Sequence, residues 1–304
     1  MITATKESPI LLQLKAKIKA FSQLIRLPRQ IGTWLLLIPC WWGVLLAFAQ
    51  NPSAYSLELV GKYMALFAIG AFLMRSSGCA FNDWVDKDLD GKVERTQNRP
   101  LAARALSSGE AWGAMAVLAA LALIILLQFN PFTIALGILS LPLVFIYPFM
   151  KRISWWPQAF LGLVFNWGAL MGYAALTGEL SATTLPLYAA GIAWTLGYDT
   201  IYAHQDKKDD LLIGIRSSAL RLGARTKPFL FLIYSLVIVL LAAVFYLSGF
   251  SPLAYLGLLP AAAHFWRQAR QIDIENPASC AKFFSTNREA GLLIAAAIAF
   301  APLW

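Results

Sequence analysis

Charged side chains are scarce in this 304-residue chain: Asp, Glu, Lys and Arg make up 13% of it, against 59% hydrophobic residues. A soluble protein of that length needs far more charge to cover its surface, so a water-soluble globule is excluded and an integral membrane protein is indicated. Histidine is rarer still. His204 and His264 are too few and too far apart for an imidazole metal cluster, although His204, two residues before Asp206, could touch a site there. Cys40, Cys79 and Cys280 form an odd, scattered set that excludes a disulfide framework and a zinc site, and they read as small buried hydrophobes. A cleavable signal is also not expected, because the first long apolar run begins near residue 31 and leads straight into a spanning helix. The amino terminus lacks the Arg- and Ser-rich character of a transit peptide, so a bacterial inner membrane is the expected location.

What the chain does have is apolar runs of spanning length, near 31–50, 57–81, 110–129, 131–150, 157–177, 183–203, 227–248, 251–267 and 289–304. The expected fold is therefore all-α, a polytopic membrane protein of about nine transmembrane helices around a central cavity, with Asp-rich cytoplasmic loops at about 82–105 and 203–226. Residues 1–30 form a cytoplasmic, interfacial amphipathic segment in this reading, and 31–304 a single transmembrane domain. With alternating connections, all but Lys62 of the 25 basic residues fall on one side of the membrane. By the positive-inside rule that side is cytoplasmic, and it holds both acidic loops and the amino terminus. The net charge of +9 then suits anionic lipid and anionic substrates, with no reason to expect nucleic acid or an obligate protein partner. The two acidic loops lie four crossings apart, as in a parallel repeat that would bring them face to face.

Carboxylates concentrate in those two places: Asn82, Asp83, Asp86, Asp88 and Asp90, then Asp206, Asp209 and Asp210. On a helix Asn82, Asp86 and Asp90 would share a face, and Asp206 and Asp210 have the same spacing. Like charges at that spacing repel, more so beside a bilayer, which calls for a cation between them. An all-oxygen donor set suits Mg²⁺, which keeps water and takes one or two carboxylates plus phosphate oxygens. Lys92, Arg95 and Arg99 after the first cluster, and Lys151 and Arg152 after the fourth run, are matched to phosphate. Asp199, inside the sixth run, is an intramembrane ionisable group and so a functional candidate. Solvated loops with balanced charges would explain one such Asp but not two matched clusters. A transporter or Mg²⁺ channel would also place carboxylates at the membrane, yet no charged exit appears on the opposite side, and a purely structural subunit leaves the clusters unexplained.

At these residues the chain resembles a known family. NDWVDKDLDGKVERTQNRPL is similar to the first motif of the UbiA-type intramembrane prenyltransferases, with Asn82, Asp86 and Asp90 followed by Arg95, Thr96, Arg99 and Pro100. YDTIYAHQDKKDDLLIGIRSSA resembles the second, with Asp206 and Asp210 as its paired carboxylates. YPFMKR and RLPRQIGTWLLLIPCWW extend the resemblance from about residue 24 to 295. The wording of the second motif is closest to the branch that prenylates 4-hydroxybenzoate for ubiquinone, with another aromatic acceptor as the alternative. Arg29 and Gln30 depart from the Lys-Pro that commonly precedes Ile-Gly in relatives.

The resemblance implies transfer of a polyprenyl group from its diphosphate to the ring carbon beside the hydroxyl of 4-hydroxybenzoate. It implies Mg²⁺ held by Asn82, Asp86, Asp90, Asp206 and Asp210, and phosphates steadied by Lys92, Arg95, Lys151 and Arg152. Asp199, Asp206 and Asp86 are the expected catalytic carboxylates, and Arg26, Arg29 and Tyr198 the expected contacts to the aromatic acceptor. Phe145, Tyr147, Phe149, Phe165, Trp167, Tyr173 and Tyr198 are the aromatic faces expected to support an allylic cation.

Overall fold

Caps mark where the apolar runs become helices. Ser56 accepts from the Leu59 N–H at the start of the longest helix, Ser107 and Glu110 form a reciprocal capping box, and Asn130 caps a helix that opens with Pro131. The computed structural model describes residues 8–303, and no strand occurs among them. In chain order the helices are α1 (Pro9–Leu24), α2 (Ile31–Gln50), α3 (Leu57–Asp90), α4 (Ser108–Leu126), α5 (Pro131–Ile146), α6 (Met150–Ile153), α7 (Pro157–Thr177), α8 (Thr184–Ala203), α9 (Lys207–Ile213), α10 (Ser218–Leu222), α11 (Thr226–Leu247), α12 (Leu259–Gln271), α13 (Pro277–Ser285) and α14 (Asn287–Phe300).

Neighbouring helices close into a ring: α2 on α3, α3 on α4, α4 on α5, α5 on α7, α7 on α8, α8 on α11, α11 on α12, α12 on α14, and α14 back on α2. The α2–α7 contact runs through the middle of this ring. There the backbones meet closely: an ideal Cβ on Gly172 would lie 2.0 Å from the Cys40 carbonyl oxygen, and one on Gly43 would lie 2.1 Å from that of Ala169. Trp42, Trp194, Tyr198, Tyr234 and Phe265 fill the largest core cluster beside it.

Among the described residues, six helical stretches are long and apolar enough to cross a membrane: Ile31–Gln50, Leu57–Asp90, Ser108–Leu126, Pro131–Ile153, Pro157–Thr177 and Ser218–Leu247. The sixth expected run folds as the 20-residue α8 but carries Thr195, Tyr198, Asp199 and Thr200, polar groups that its place inside the ring tolerates. The eighth run is divided between a 3₁₀ turn over Pro252–Leu258 and the 13-residue α12, and the ninth forms the 14-residue α14. At 1.5 Å per residue, helices this short fall below the roughly 30 Å of a hydrocarbon core.

The first acidic segment is helix rather than loop. α3 runs for 34 residues, through Asn82, Asp83, Asp86 and Asp90, so its last turns project past the apolar part. Asp206 is the N-cap of α9, with Asp209 and Asp210 in its first turn. α1 leaves Ile10, Leu11, Leu12, Leu14 and Ile18 exposed and buries Ala20 and Leu24 against Ala80, Leu101, Leu106 and Ala111. Residues 1–7 of the expected interfacial segment and Trp304 of the ninth run lie outside the described residues.

Candidate active site

The helical register of α3 places Asn82, Asp86 and Asp90 along one side of its final turns, with Asp83 next to them. Asp83, Asp86 and Asp90 are all buried, and basic groups converge on them. Arg26 donates to Asp83 at 2.6 Å, and Arg99 donates to Asp83 at 3.0 Å and to Asp90 at 2.8 Å. Lys151 bonds Asp86, with Arg152 3.6 Å from its other oxygen. Arg26 achieves this from a left-handed backbone, φ 57°, where α1 has just ended.

The two acidic segments meet through the stretch between α3 and α4. Arg95 holds both oxygens of Asp206 in a fork, its Nε at 2.6 Å, and lies over the Tyr202 ring. The Glu94 N–H donates to Asp209 at 3.2 Å. Burial opposes the Arg95 charge, but the bond to Asp206, with Tyr202 and Asp90 nearby, outweighs it and raises the pKa above the usual guanidinium value. Asp210 moves the other way from an ordinary carboxyl: burial, then the neighbouring Asp206 charge, pushes its pKa up to about 7, against the pull of Lys151 and Arg95.

Beneath this polar cap lies a cavity of about 1620 Å³ walled by α2, α3, α4, α5, α7 and α8. Asn82 and Asp83 line its mouth with Arg26, Arg29 and Arg95, while Tyr198, Asp199 and Tyr202 line it from α8. Of the aromatic faces expected from the sequence, Tyr147, Phe165, Trp167 and Tyr198 line the cavity. Phe145 and Phe149 are instead exposed on the outer surface, and Tyr173 is buried in the core, bonded to Gln50 at 2.8 Å. Lys92 is exposed and joins neither cluster. His204 turns away as well: its Nε2 pairs with the Thr226 hydroxyl at 2.9 Å on α11, and burial followed by the Lys207 charge lowers its pKa to about 4.

Sequence reasoning missed Arg75, counting it with the surface charges. It lies inside α3, lines the cavity, donates to the Cys79 sulfur at 2.6 Å and sits over the Phe165 ring at 5.7 Å. Gly32 makes room for it, since a Cβ there would come within 2.5 Å of the Arg75 Nε. Arg75 and Asp199 line the same cavity. The signal was available: a lone cation within an apolar run, seven residues before Asn82, is two helical turns down the same face.

Among the described residues no three His, Cys, Asp or Glu side chains already converge as a cage for a metal. The donor set nevertheless fits a hard divalent cation. It is built from carboxylate and amide oxygens, and buried oxygens of Asp83 and Asp86 have no hydrogen-bond partner. In this structure the basic side chains occupy the places of the positive charge those carboxylates require.

Comparison with known proteins identifies relatives in sequence and in fold. Residues 36–299 fit the model of the UbiA prenyltransferase family. Human mitochondrial 4-hydroxybenzoate polyprenyltransferase is 45% identical over 94% of this chain and 76% of its own length. The mitochondrial 4-hydroxybenzoate polyprenyltransferase of Schizosaccharomyces pombe is 45% identical over 92% and 78%. Among solved structures, a UbiA homolog from Aeropyrum pernix K1 superposes with a TM-score of 0.72 at 24% identity, covering 88% of this chain and 96% of that one. A UbiA homolog from Archaeoglobus fulgidus bound to GPP and Mg²⁺ gives 0.65 at 16% identity, covering 91% and 99%. The bacterial inner-membrane expectation is overturned by the relatives, both of which are named as mitochondrial. That expectation rested on the composition of the amino terminus alone, and the chain spans 76% and 78% of these relatives' own length.

Proposed function

The chain belongs to the UbiA prenyltransferase family, and on that premise we propose that it transfers a polyprenyl group from polyprenyl diphosphate to 4-hydroxybenzoate in ubiquinone biosynthesis. The new bond forms at the ring carbon ortho to the hydroxyl, and diphosphate is released. The observation that carries this reading is the fork of Arg95 on Asp206 at the mouth of an apolar cavity that holds Arg75 and Asp199 inside. It joins two acidic segments more than a hundred residues apart into one polar cap over one hydrophobic chamber.

Asn82, Asp86, Asp90, Asp206 and Asp210 would hold Mg²⁺, which when bound supplies Lewis-acid charge to the leaving diphosphate. Arg95, Arg99, Lys151 and Arg152 exchange their carboxylate partners for phosphate oxygens when the donor arrives. The guanidinium fork that now fits a carboxylate fits phosphate equally well. We also retain the nine-crossing reading, in which α8, and the short α12 and α14 with their flanking turns, complete the set of spans around the chamber.

The polyprenyl tail lies in the apolar part of the cavity. As the C1–oxygen bond breaks, its electron pair leaves with the diphosphate. The positive charge left on the allylic carbons is supported by the faces of Tyr147, Phe165, Trp167 and Tyr198. Arg26, first assigned to the acceptor carboxylate, is already engaged by Asp83. Arg75 takes that role, a half-buried cation in the chamber for a carboxylate that enters it, while Tyr198 packs beside the ring and Arg29 stays at the exposed mouth. The ring π electrons form the carbon–carbon bond, and Asp199 accepts the ring proton as aromaticity returns.

The test is product analysis by mass spectrometry on membranes containing the protein, supplied with Mg²⁺, 4-hydroxybenzoate and a ladder of polyprenyl diphosphates. Prenylated 4-hydroxybenzoate that disappears with Asp86→Ala and with Asp206→Ala supports the reading. Turnover of a different aromatic acceptor with 4-hydroxybenzoate inert overturns the acceptor assignment, and cation uptake into vesicles without diphosphate release overturns the enzyme.

A further inference from the structure

A second groove lies on the outside of the ring, far from the acidic segments' cavity in its lining. It is an open space of about 640 Å³ between α11 and α12, bordered by Phe231, Ser235, Trp266, Arg267, Arg270 and Gln271. Its walls follow from helical spacing. Phe231 and Ser235 are one turn apart on α11, and Trp266, Arg267, Arg270 and Gln271 recur at three and four residues along the last turns of α12. The two walls are tied by the Trp266 indole N–H, which donates to the Ser235 hydroxyl at 3.2 Å.

This α11 wall faces lipid. Leu232, Leu236 and Val239, beside the groove on a helix apolar enough to span, are 70%, 43% and 62% exposed, which in a membrane protein means contact with acyl chains. The depth is that of the head groups. Phe231 lies in the second turn of α11 and Arg267 and Arg270 in the last turns of α12, so the bases sit at the helix ends, with Ser235 about one turn further along α11. Four residues past α12, Glu275 accepts from Lys207 of α9 at 2.9 Å, which sets this groove at the same end of the ring as the acidic segments. Trp at that level is the usual marker of a membrane interface.

The charge there is unmatched. No acidic residue borders the groove, and neither Arg267 nor Arg270 has a carboxylate within ion-pair distance among the described residues. The bases over the acidic segments, Arg26, Arg95, Arg99 and Lys151, each hold a carboxylate, so Arg267 and Arg270 are not part of that network. Two guanidinium groups one turn apart, with an aromatic shelf below them and lipid beside them, match a phosphodiester above two acyl chains.

We propose that the α11–α12 groove is a binding site for one anionic phospholipid, its phosphate held by Arg267 and Arg270 and its acyl chains lying along Phe231, Trp266 and the exposed leucines of α11. The site is independent of the prenyl-transfer reading, since none of its residues takes part in that chemistry.

The experiment uses the full chain, delipidated in detergent, with phosphatidylglycerol or phosphatidylcholine added back. The readouts are the thermal unfolding midpoint and native mass spectrometry of retained lipid. Phosphatidylglycerol is expected to raise the midpoint and to be retained one per chain, while phosphatidylcholine, inorganic phosphate and glycerol phosphate leave it unchanged. Arg267→Gln with Arg270→Gln should remove most of the rise and the retained lipid, whereas Arg267→Lys with Arg270→Lys should keep part of both. Lys282→Gln with Arg288→Gln removes the same charge at other positions and should keep both in full. An equal loss in the two Gln pairs would show diffuse attraction and overturn the site, as would full retention in the Arg267/Arg270 Gln pair. A rise produced equally by inorganic phosphate would overturn the lipid assignment.

Discussion

At the scale of single residues, the account turns on Arg75 and Asp199, the ionisable pair inside the chamber. Removing one partner of a buried charge pair costs about 2–5 kcal/mol, or roughly 30-fold and more in binding. Arg75→Gln is therefore expected to raise the KM for 4-hydroxybenzoate by at least about 30-fold and to leave the KM for polyprenyl diphosphate unchanged. Steady-state kinetics with each substrate varied in turn checks this, and a parallel rise in both constants would remove Arg75 from acceptor recognition. Asp199→Asn keeps the shape and deletes the proton acceptor, so kcat should fall by about 10²–10⁴-fold with both KM values near those of the parent. Unchanged turnover would remove Asp199 from the chemistry. The carboxylates were legible in sequence because their spacing repeats at a helical period. Arg75 was overlooked because a single basic residue in the last turns of an apolar run was counted as a topology signal. Its burial depends on Gly32, forty-three residues earlier, which no local pattern reveals.

At the scale of elements, two features carry the site: the bridge from the α3–α4 connection to α9, and the crossing of α2 with α7. The bridge is the Arg95 fork on Asp206. A Lys there preserves charge but offers a point contact in place of two parallel bonds. Hydrogen bonds to charged groups contribute about 1.5–3 kcal/mol, so Arg95→Lys should lower kcat/KM for the diphosphate by roughly 10- to 100-fold. Equal kcat/KM in the two proteins would contradict a forked role. At the crossing, a methyl on Gly172 meets the Cys40 carbonyl and must push the helices apart. Overpacking of this kind costs about 1–3 kcal/mol, so Gly172→Ala should lower the thermal unfolding midpoint in detergent, and an unchanged midpoint would show that the crossing relaxes freely. The long apolar elements were readable from hydropathy. The limits of the acidic ones were not: α3 continues as helix through Asp90 because Arg26, Arg99 and Lys151, from three other parts of the chain, neutralise carboxylates that would repel one another on an isolated helix. α8 forms where an apolar run was expected although it carries buried polar residues, whereas Pro252 and Pro260 divide the eighth run into a 3₁₀ turn and a short helix, a break that hydropathy alone does not reveal.

At the scale of the whole molecule, the ring separates two environments that prenyl transfer needs together. One end is a polar cap in which carboxylates and bases are interleaved, and the other is a mainly apolar chamber. The charge asymmetry that gathers nearly all Lys and Arg on one side in the sequence is the same asymmetry that supplies the bases of the cap. The central claim is that this cap and chamber form one site in which departure of diphosphate and prenylation of the ring are a single metal-dependent event. The most direct test strips membranes containing the protein with EDTA, restores Mg²⁺ in steps, and measures released diphosphate and prenylated 4-hydroxybenzoate together in single turnovers. The account predicts no product in the stripped membranes and equal amounts of the two products at every Mg²⁺ concentration. Ring prenylation without added metal, or diphosphate released without ring prenylation, would contradict it.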